Sequence, residues 1–509
     1  MNASFLRFSW CLCILVGASL TASLATPPAT KPPDYSATDL NRILQQAADR
    51  AMESFPKAVI AIVDRDGREL ALRRADGSGG VSPQQRAIAV SKAGTAVFLS
   101  SNEQAFSPRT ASFIIQENFP PQVRDRPPGP LVGVGFSNLA FSDVNFFREV
   151  GGARIPGSRL RASPGGVPLY KNGRLFAGIG VTGDGTEAEF TDDSGYSKTL
   201  GPDTDEAIAL AGQIGYAPNS AIWGSKVLID GIRLPYIKSP VLKARVANAA
   251  PQIPVAAPPP PLSWPKAKLG GVTGEIRSTI IGDPQPGKIS GKRRLSSAEV
   301  SAIISAAAAR ARVSRAGIRL PIGRPVQVFI SVVNNPGKPG MAPEVLGTFR
   351  TPDAPLFSWD VSVQKARTAL FYSSSNRAMS TRAVGFLSQT HFPPGINSRR
   401  PGPNERDQLS FSAPLLTGSG GNPELPNGIT IFPGGFPLYR DGVLIGAIGV
   451  SGDGVDQDDL VAAAGAVGFV PPVRIRADNH SHAGVRLPYA KFPRDPSLRQ
   501  ESRPITAGP

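Results

Sequence analysis

The chain has 509 residues, 41% of them hydrophobic, which is enough for real cores and too long for one ordinary domain. Its 54 glycines and 51 prolines exceed average usage and point to long loops and connectors around those cores. A net charge of +16 raises nucleic acid as a partner, but the basic residues are dispersed and no aromatic-plus-basic platform for single strands stands out. The charge reads instead as a solvated face with a general attraction for anionic surfaces and ligands.

The first residues set the compartment. "MNASFLRFSWCLCILVGASLTASLATPP" carries one positive charge, Arg7, then an apolar run to about Leu20, with Ser23 and Ala25 where small residues precede a cleavage site. Residues 1–25 read as a secretory signal peptide, too short for a comfortable membrane span, and no later run approaches one. The expectation is a periplasmic or secreted protein with no membrane span in the mature chain, which also argues against a nucleic-acid partner. Cys11 and Cys13 are the only cysteines and lie in this run. The mature chain is therefore expected to have no thiol, disulfide or Cys-ligated metal.

After the signal, "SATDLNRILQQAADRAMESF" puts Leu40, Ile43, Leu44, Ala47, Ala51 and Met52 on one helical stripe. "AVIAIVDRDGRELALRR" reads as strand, turn at Asp66-Gly67, strand. A helix of small residues around Lys92 follows. Next comes "GGVPLYKNGRLFAGIGVTGDG", then a helix from Asp205 and a final strand. Everything then recurs. "SSAEVSAIISAAAARARV" opens with Ser296 and Glu299 at capping-box spacing. "PVQVFISVV" alternates like the first strand, and a helix around Lys365 follows. "GGFPLYRDGVLIGAIGVSGDG" and a helix from Asp458 complete the second copy. Over residues 164–185 and 433–454, 14 of 22 aligned positions are identical, so the chain is a duplication with a period near half its length. Residues 239–294, including "AAPQIPVAAPPPPLSWPKAKLGG", read as a Pro-rich, semi-rigid linker; a segment wrapped on one domain, anchored by Trp264, is the alternative. Hairpins mixed with helices imply α+β domains with antiparallel sheets, not a doubly wound fold.

Gly178, Gly180 and Gly183 spell G-x-G-x-x-G, but Asn172-Gly173 and Asp441-Gly442 are hairpin turn pairs, so Gly178 and Gly180 fall inside a strand. A dinucleotide fingerprint needs strand, glycines and helix in immediate succession, and the second copy has Ala447 at the first glycine position. Strand glycines, Gly449 among them, signal close approach of a backbone, a helix or a flat ligand. Asp456, Asp458 and Asp459 do not fit an EF-hand loop, and helix capping and dipole pairing explain them more simply.

The pattern GG-x-P-x-Y-x-x-G-x-L-x-x-x-IGV-[ST]-GDG, followed by an acidic pair and AG, together with KA-x-TA, resembles the GlcG/HbpS-like haem-binding family. The likeness covers both repeats, residues 37–238 and 295–490, and leaves out the signal, the linker and the tail 491–509. It implies two profilin-like domains, each an antiparallel sheet with flanking helices. It also implies haem or a related planar, anionic tetrapyrrole as ligand, and a homo-oligomer or an intramolecular domain pair. On that reading Tyr170 and Tyr439 are axial-ligand candidates. Lys92 and Lys365 are candidates to neutralise carboxylates, and Gly178, Gly180 and Gly449 give a flat ligand access. His391, His480 and His482 are the only histidines and all lie in the second copy. His391 is a further haem ligand candidate, and His480 and His482, two apart, are candidates for one metal ion. No Ser–His–Asp order can be built in the first copy, which contains no histidine, and no G-x-S-x-G is present, so the best reading is non-catalytic binding. An interaction module whose copies pair without cofactor, and a haem- or metal-dependent redox protein, stay open.

Overall fold

The computed structural model describes residues 35–491 except 117, 124–125, 127–128, 132–159, 188–195, 197–198, 246–248, 396–399, 408–409 and 412–420. The signal peptide reading and the tail beyond Lys491 lie outside the described residues. Among the described residues no helix is long and apolar enough to cross a membrane.

Each copy begins with an amphipathic helix, α1 (Ala37–Ala51), whose counterpart below is α5. Helix α1 starts at a Ser36/Asp39 capping box and buries Leu40, Ile43, Leu44, Ala47 and Ala51 as the stripe predicts. Strands β1 (Val59–Asp64) and β2 (Glu69–Arg74) form the predicted hairpin. Then come helices α2 (Pro83–Leu99) and α3 (Pro108–Ile114), and the hairpin β3 (Gly166–Lys171) and β4 (Arg174–Thr182). Asn172 and Gly173 have φ of 53° and 72°, the paired positive φ of a two-residue hairpin turn. Helix α4 (Thr204–Gly212) packs beside α1. The sheet order is β2-β1-β4-β3, all antiparallel. The final strand expected for the copy is only a two-residue pair, β5 (Leu228–Ile229) with β6 (Ile232–Arg233), outside the main sheet.

The second copy repeats this with α5 (Ser297–Val313), β9 (Val328–Asn334), β10 (Val345–Arg350), α6 (Phe357–Phe371) and α7 (Thr381–Leu387). The hairpin β11 (Gly435–Arg440) and β12 (Val443–Gly452), helix α8 (Val455–Gly465) and the pair β13 (Ser481–His482) and β14 (Val485–Arg486) complete it. Its sheet has six strands, β11-β12-β9-β10-β8-β7, because residues read as linker supply β7 (Lys266–Leu269) and β8 (Val272–Ser278). Residues 239–294 are therefore not a free spacer. The Pro-rich part lies along the first copy: Ala250 N–H donates to Asp49 (2.7 Å), Val255 N–H to Asn41 (2.8 Å), and Arg68 reaches the Pro260 carbonyl (2.8 Å). Prolines lack a donor but keep a carbonyl, so such a strap is fixed by side chains of the domain it crosses.

The two copies pack on each other, and one apolar core runs through both, from Val59 and Phe106 to Val328 and Trp359. Buried ion pairs cross the junction. Arg319 of the second copy contacts Asp453 (2.5 Å) and Asp353 (2.9 Å) and approaches Glu103 of the first copy (3.6 Å). Asp353 also accepts from Arg65 and from the Asn102 backbone of the first copy. Arg277 bonds Asp66 of the first copy at 2.7 Å, lies 4.0 Å over the Trp264 ring and chelates Glu275. Burial alone would raise the Glu275 carboxyl, but Arg277 and Arg350 beside it bring it down from 4.5 to about 2. A carboxyl depressed on folding stabilises above its unfolded pKa and loses that contribution as pH falls through the folded one. The stability gap between the native chain and a Glu275→Gln variant is therefore expected to narrow steadily from pH 4.5 towards pH 2, read from urea midpoints. A gap independent of pH would contradict this.

Candidate functional site

The glycines of the repeated hairpin face a helix. A Cβ on Gly180 would stand 2.1 Å from the Ala89 carbonyl oxygen and 2.4 Å from Ala93 N, and one on Gly178 would stand 2.4 Å from the Ala93 carbonyl oxygen. In the second copy a Cβ on Gly449 would meet the Ser362 carbonyl oxygen at 1.9 Å and Ala366 N at 2.6 Å. Helices α2 and α6 are thus seated backbone against strand, and Gly178, Gly180 and Gly449 give access to a helix instead of a flat ligand.

The lysines on those helices are buried by the same seating. Lys92 Nζ sits 3.0 Å from both Asp205 and Glu187. Lys365 Nζ sits 2.8 Å from Asp458 and donates to the Val450 carbonyl at 2.8 Å. Each ties the central helix to the first turn of the last one. Burial lifts Asp205 and Asp458 alike to about 6. It also pulls the lysines down; Asp205 and Glu187 beside Lys92, with Asp203, outweigh it and Lys92 rises, whereas Asp458 and Asp459 do not outweigh it at Lys365, which falls. Neither ammonium is presented to a carboxylate ligand from solvent. Tyr170 donates its hydroxyl to the Ser101 carbonyl (2.6 Å) and Tyr439 to the Ser374 carbonyl (2.7 Å), and burial pushes both phenols well up. A tyrosinate ligand is the form this environment disfavours most, so both act as struts between hairpin and helix end.

An arginine that sequence reasoning passed over marks the open site. Arg382 on α7 bonds Asp459 and Asp456, each at 2.8 Å, and Lys491 reaches Asp456 at 3.4 Å. Beside them opens a cleft of about 630 Å³ with Phe386, Ile431, Phe432 and Pro488 as apolar walls, Arg382 and Lys491 as cations, and Gly129 and Pro130 of the first copy at its edge. Helix seating places Arg382 here: Gly385, one turn on, lies against the Ile431 carbonyl with no room for a Cβ. In the first copy the matching Arg109 is bound by both oxygens of Glu206 at 2.9 Å and donates to the Thr199 carbonyl. Thr199 also meets Ser112 (3.2 Å), and Tyr196 packs on Phe113 at 5.9 Å. Thr199 and Tyr196 of the first copy thus cover the place where the second copy is open. The signal for both arginines was "SPRTASF" against "STRAVGF", aligned within the repeat.

His391 is half-buried, while His480 and His482 are exposed at the β13–β14 pair. The His482 ring packs edge-on against Phe392 (5.2 Å), which meets Phe386 of the cleft wall (5.6 Å). Among the described residues no group of three His, Cys, Asp or Glu is placed to hold a metal ion, so His480 and His482 have no third protein ligand there. The cleft fits the apolar faces and carboxylates of a tetrapyrrole. Its described lining contains no His, Cys, Met or Tyr, so such a group would be held there by packing and charge and not by an axial ligand from the lining.

Fold and site define a tandem α+β protein whose repeats each lock a glycine-seated helix to the last helix through a buried lysine–aspartate pair. The chain belongs to the HbpS-like family: the family model described as "Haem degrading protein HbpS-like" matches residues 36–190 and 295–467. Three solved structures are similar. A PduOC–haem complex is 26% identical, covering 34% of this chain and 94% of that one, with a TM-score of 0.22. The Klebsiella pneumoniae protein ORFY is 16% identical, over 36% and 94%, with a TM-score of 0.22. A double mutant of Streptomyces reticuli HbpS is 18% identical, over 37% and 90%, with a TM-score of 0.21. No curated protein matches the chain.

Proposed function

We propose that this is an exported, non-catalytic binding protein for haem or a related planar, anionic tetrapyrrole, held in the cleft of the second copy. The observation that carries the reading is the cleft itself, about 630 Å³, apolar on its walls and flanked by Arg382 and Lys491. Membership of the HbpS-like family supports it. Apolar walls take the macrocycle, and Lys491, 35% exposed and only loosely paired with Asp456 at 3.4 Å, takes a carboxylate, while Arg382 stays held by Asp456 and Asp459. The matching place in the first copy is covered by Thr199 and Tyr196, so the reading is one ligand per chain.

The test is a haemin titration of the chain without residues 1–25, followed by Soret absorption, with His391→Ala, His480→Ala, His482→Ala and Lys491→Glu variants. A saturable, shifted band is expected, with affinity falling about tenfold in Lys491→Glu, the cost of about 1.4 kcal/mol. Loss of the shift in one histidine variant would assign the axial ligand to that residue. No saturable shift at micromolar haemin would overturn the reading and favour a module whose copies pair without cofactor, for which the Arg319 junction is the supporting observation.

A further inference from the structure

A second cavity, of about 480 Å³, opens on the second copy where the β9–β10 and β11–β12 turns meet the C-terminal end of α6. Ile289, Leu370, Phe371 and Leu444 form its apolar walls, and Lys338 and Ser375, both exposed, stand in its lining. Its other charged members are already engaged: Arg367 donates to Asn427 (2.9 Å), and Glu424 accepts from the Gly340 N–H (2.5 Å).

The same place in the first copy is the face that docks on the second. By the pairing of β1 and β9 with their hairpin strands, Asn335 and Pro336 match Arg65 and Asp66. By the aligned helices, Ser375 and Asn376 match Asn102 and Glu103. The loop after each helix is built alike. The Ser101 N–H donates to the Gln104 carbonyl and the Glu103 N–H to Ser101 Oγ; the Ser374 N–H donates to the Arg377 carbonyl and the Asn376 N–H to Ser374 Oγ. Tyr170 and Tyr439 hold the two loops by matching carbonyls. The N–H between those bonds therefore points the same way in both copies. In the first copy it belongs to Asn102 and meets the Asp353 carboxylate at 3.0 Å, with Arg65 of the β1–β2 turn as the second donor at 3.1 Å. In the second copy it belongs to Ser375, the β9–β10 connection carries Lys338, and the cavity lies beside them. Asp66 and Glu103, which take Arg277 and Arg324 at the junction, give way to Pro336 and Asn376. The face keeps its means of receiving an anion and loses its means of receiving a cation. The repeat offers no second segment to fill it, since Asp353 is buried at the junction and Gly80 stands at its place in the first copy.

We infer that this cavity binds a small monocarboxylate with an apolar body, about ten non-hydrogen atoms in all. Its carboxylate accepts from the Ser375 N–H and pairs with the Lys338 ammonium, as Asp353 does with Asn102 and Arg65, and its body lies against Ile289, Phe371 and Leu444. An anion gains a charge-assisted bond from each donor, which a neutral or cationic analogue of the same shape does not. The cavity shares no lining residue with the Arg382 cleft, so this ligand is separate from the tetrapyrrole and does not depend on it.

The experiment is calorimetric titration of the whole mature chain at pH 7.5 with 3-phenylpropanoate, with 3-phenylpropanamide as the neutral analogue and 3-phenylpropylamine as the cation. One site per chain is expected for the carboxylate, with a Kd between about 0.05 and 2 mM, the range open to so small a ligand. The amide and the amine bind at least about tenfold more weakly. Lys338→Glu weakens the carboxylate at least about tenfold and leaves the amide unchanged, which a merely structural role for Lys338 would not do. Ser375→Pro, which removes the N–H, has the same effect; Lys338→Glu, at an exposed loop position, carries the test alone if the proline variant does not fold by circular dichroism. Lys491→Glu, in the other cleft, leaves 3-phenylpropanoate unchanged. Absence of saturable uptake in the native chain, equal affinity for acid and amide, or a loss in Lys491→Glu in place of Lys338→Glu would overturn the inference. Uptake of the peptide of residues 351–357, which carries Asp353, without uptake of 3-phenylpropanoate would overturn it too and assign the face to an acidic protein segment.

Discussion

Replacing Arg319 by Met is expected to cost about 3–5 kcal/mol of stability and to loosen the junction between the copies. The guanidinium is 2% exposed and meets Asp453 at 2.5 Å, Asp353 at 2.9 Å and the Asp353 carbonyl at 2.8 Å. Its two carboxylates answer burial differently. Burial works against Asp353, but Arg319 and Arg65 together hold it below its ordinary value, whereas Asp453, enclosed with one guanidinium, is pushed up. Removing Arg319 leaves both acids buried with too little positive charge, and that uncompensated pair, more than the lost bond, sets the size of the effect. Arg324 bonds Glu103 across the same junction at 2.7 Å but is 36% exposed, so Arg324→Met should cost less than about 1 kcal/mol. Urea unfolding gives both values, and small-angle scattering reads the junction. Equal, small losses in the two variants would show that the buried network contributes no more than its rim.

Gly449→Ala is expected to be as damaging through a different cause. The added Cβ would stand 1.9 Å from the Ser362 carbonyl oxygen and 2.6 Å from Ala366 N, and both are helix backbone with no rotamer to move. Helix α6 must lift off β12. That would also separate Lys365 from the Val450 carbonyl and Asp458 and disturb Trp359 in the core. Overpacking of this kind costs about 3 kcal/mol, and more where backbone meets backbone. Gly80, with nothing within 4 Å of its Cβ position and no positive φ, is the control: Gly80→Ala should leave the thermal midpoint within error. A folded Gly449→Ala chain with an unchanged midpoint would mean that the helix is not seated on this glycine.

The fold was legible where a period or a turn pair wrote it locally. The α1 stripe, the Ser296 cap and the Asn172-Gly173 and Asp441-Gly442 turns all stand as read. What escaped was decided by partners far away in sequence. Gly178, Gly180 and Gly449 admit a helix or a flat ligand equally well until the helix is placed, and Tyr170 and Lys92 look free until the carbonyls and acids that engage them are known. The hairpin inside the supposed linker did carry a local signal, Gly270-Gly271 between alternating residues, masked by the prolines before it. The cleft residues Arg382, Phe432 and Lys491 come from three separate segments, so no spacing could announce them.

The measurement that tests the central reading most directly is the number of haemin molecules one chain binds at saturation, titrated at protein concentrations well above the Kd. One equivalent is predicted, because the second copy's cleft is open while Thr199 and Tyr196 cover its counterpart in the first. Two equivalents would contradict the covering of the first copy, and none would contradict the binding of haem.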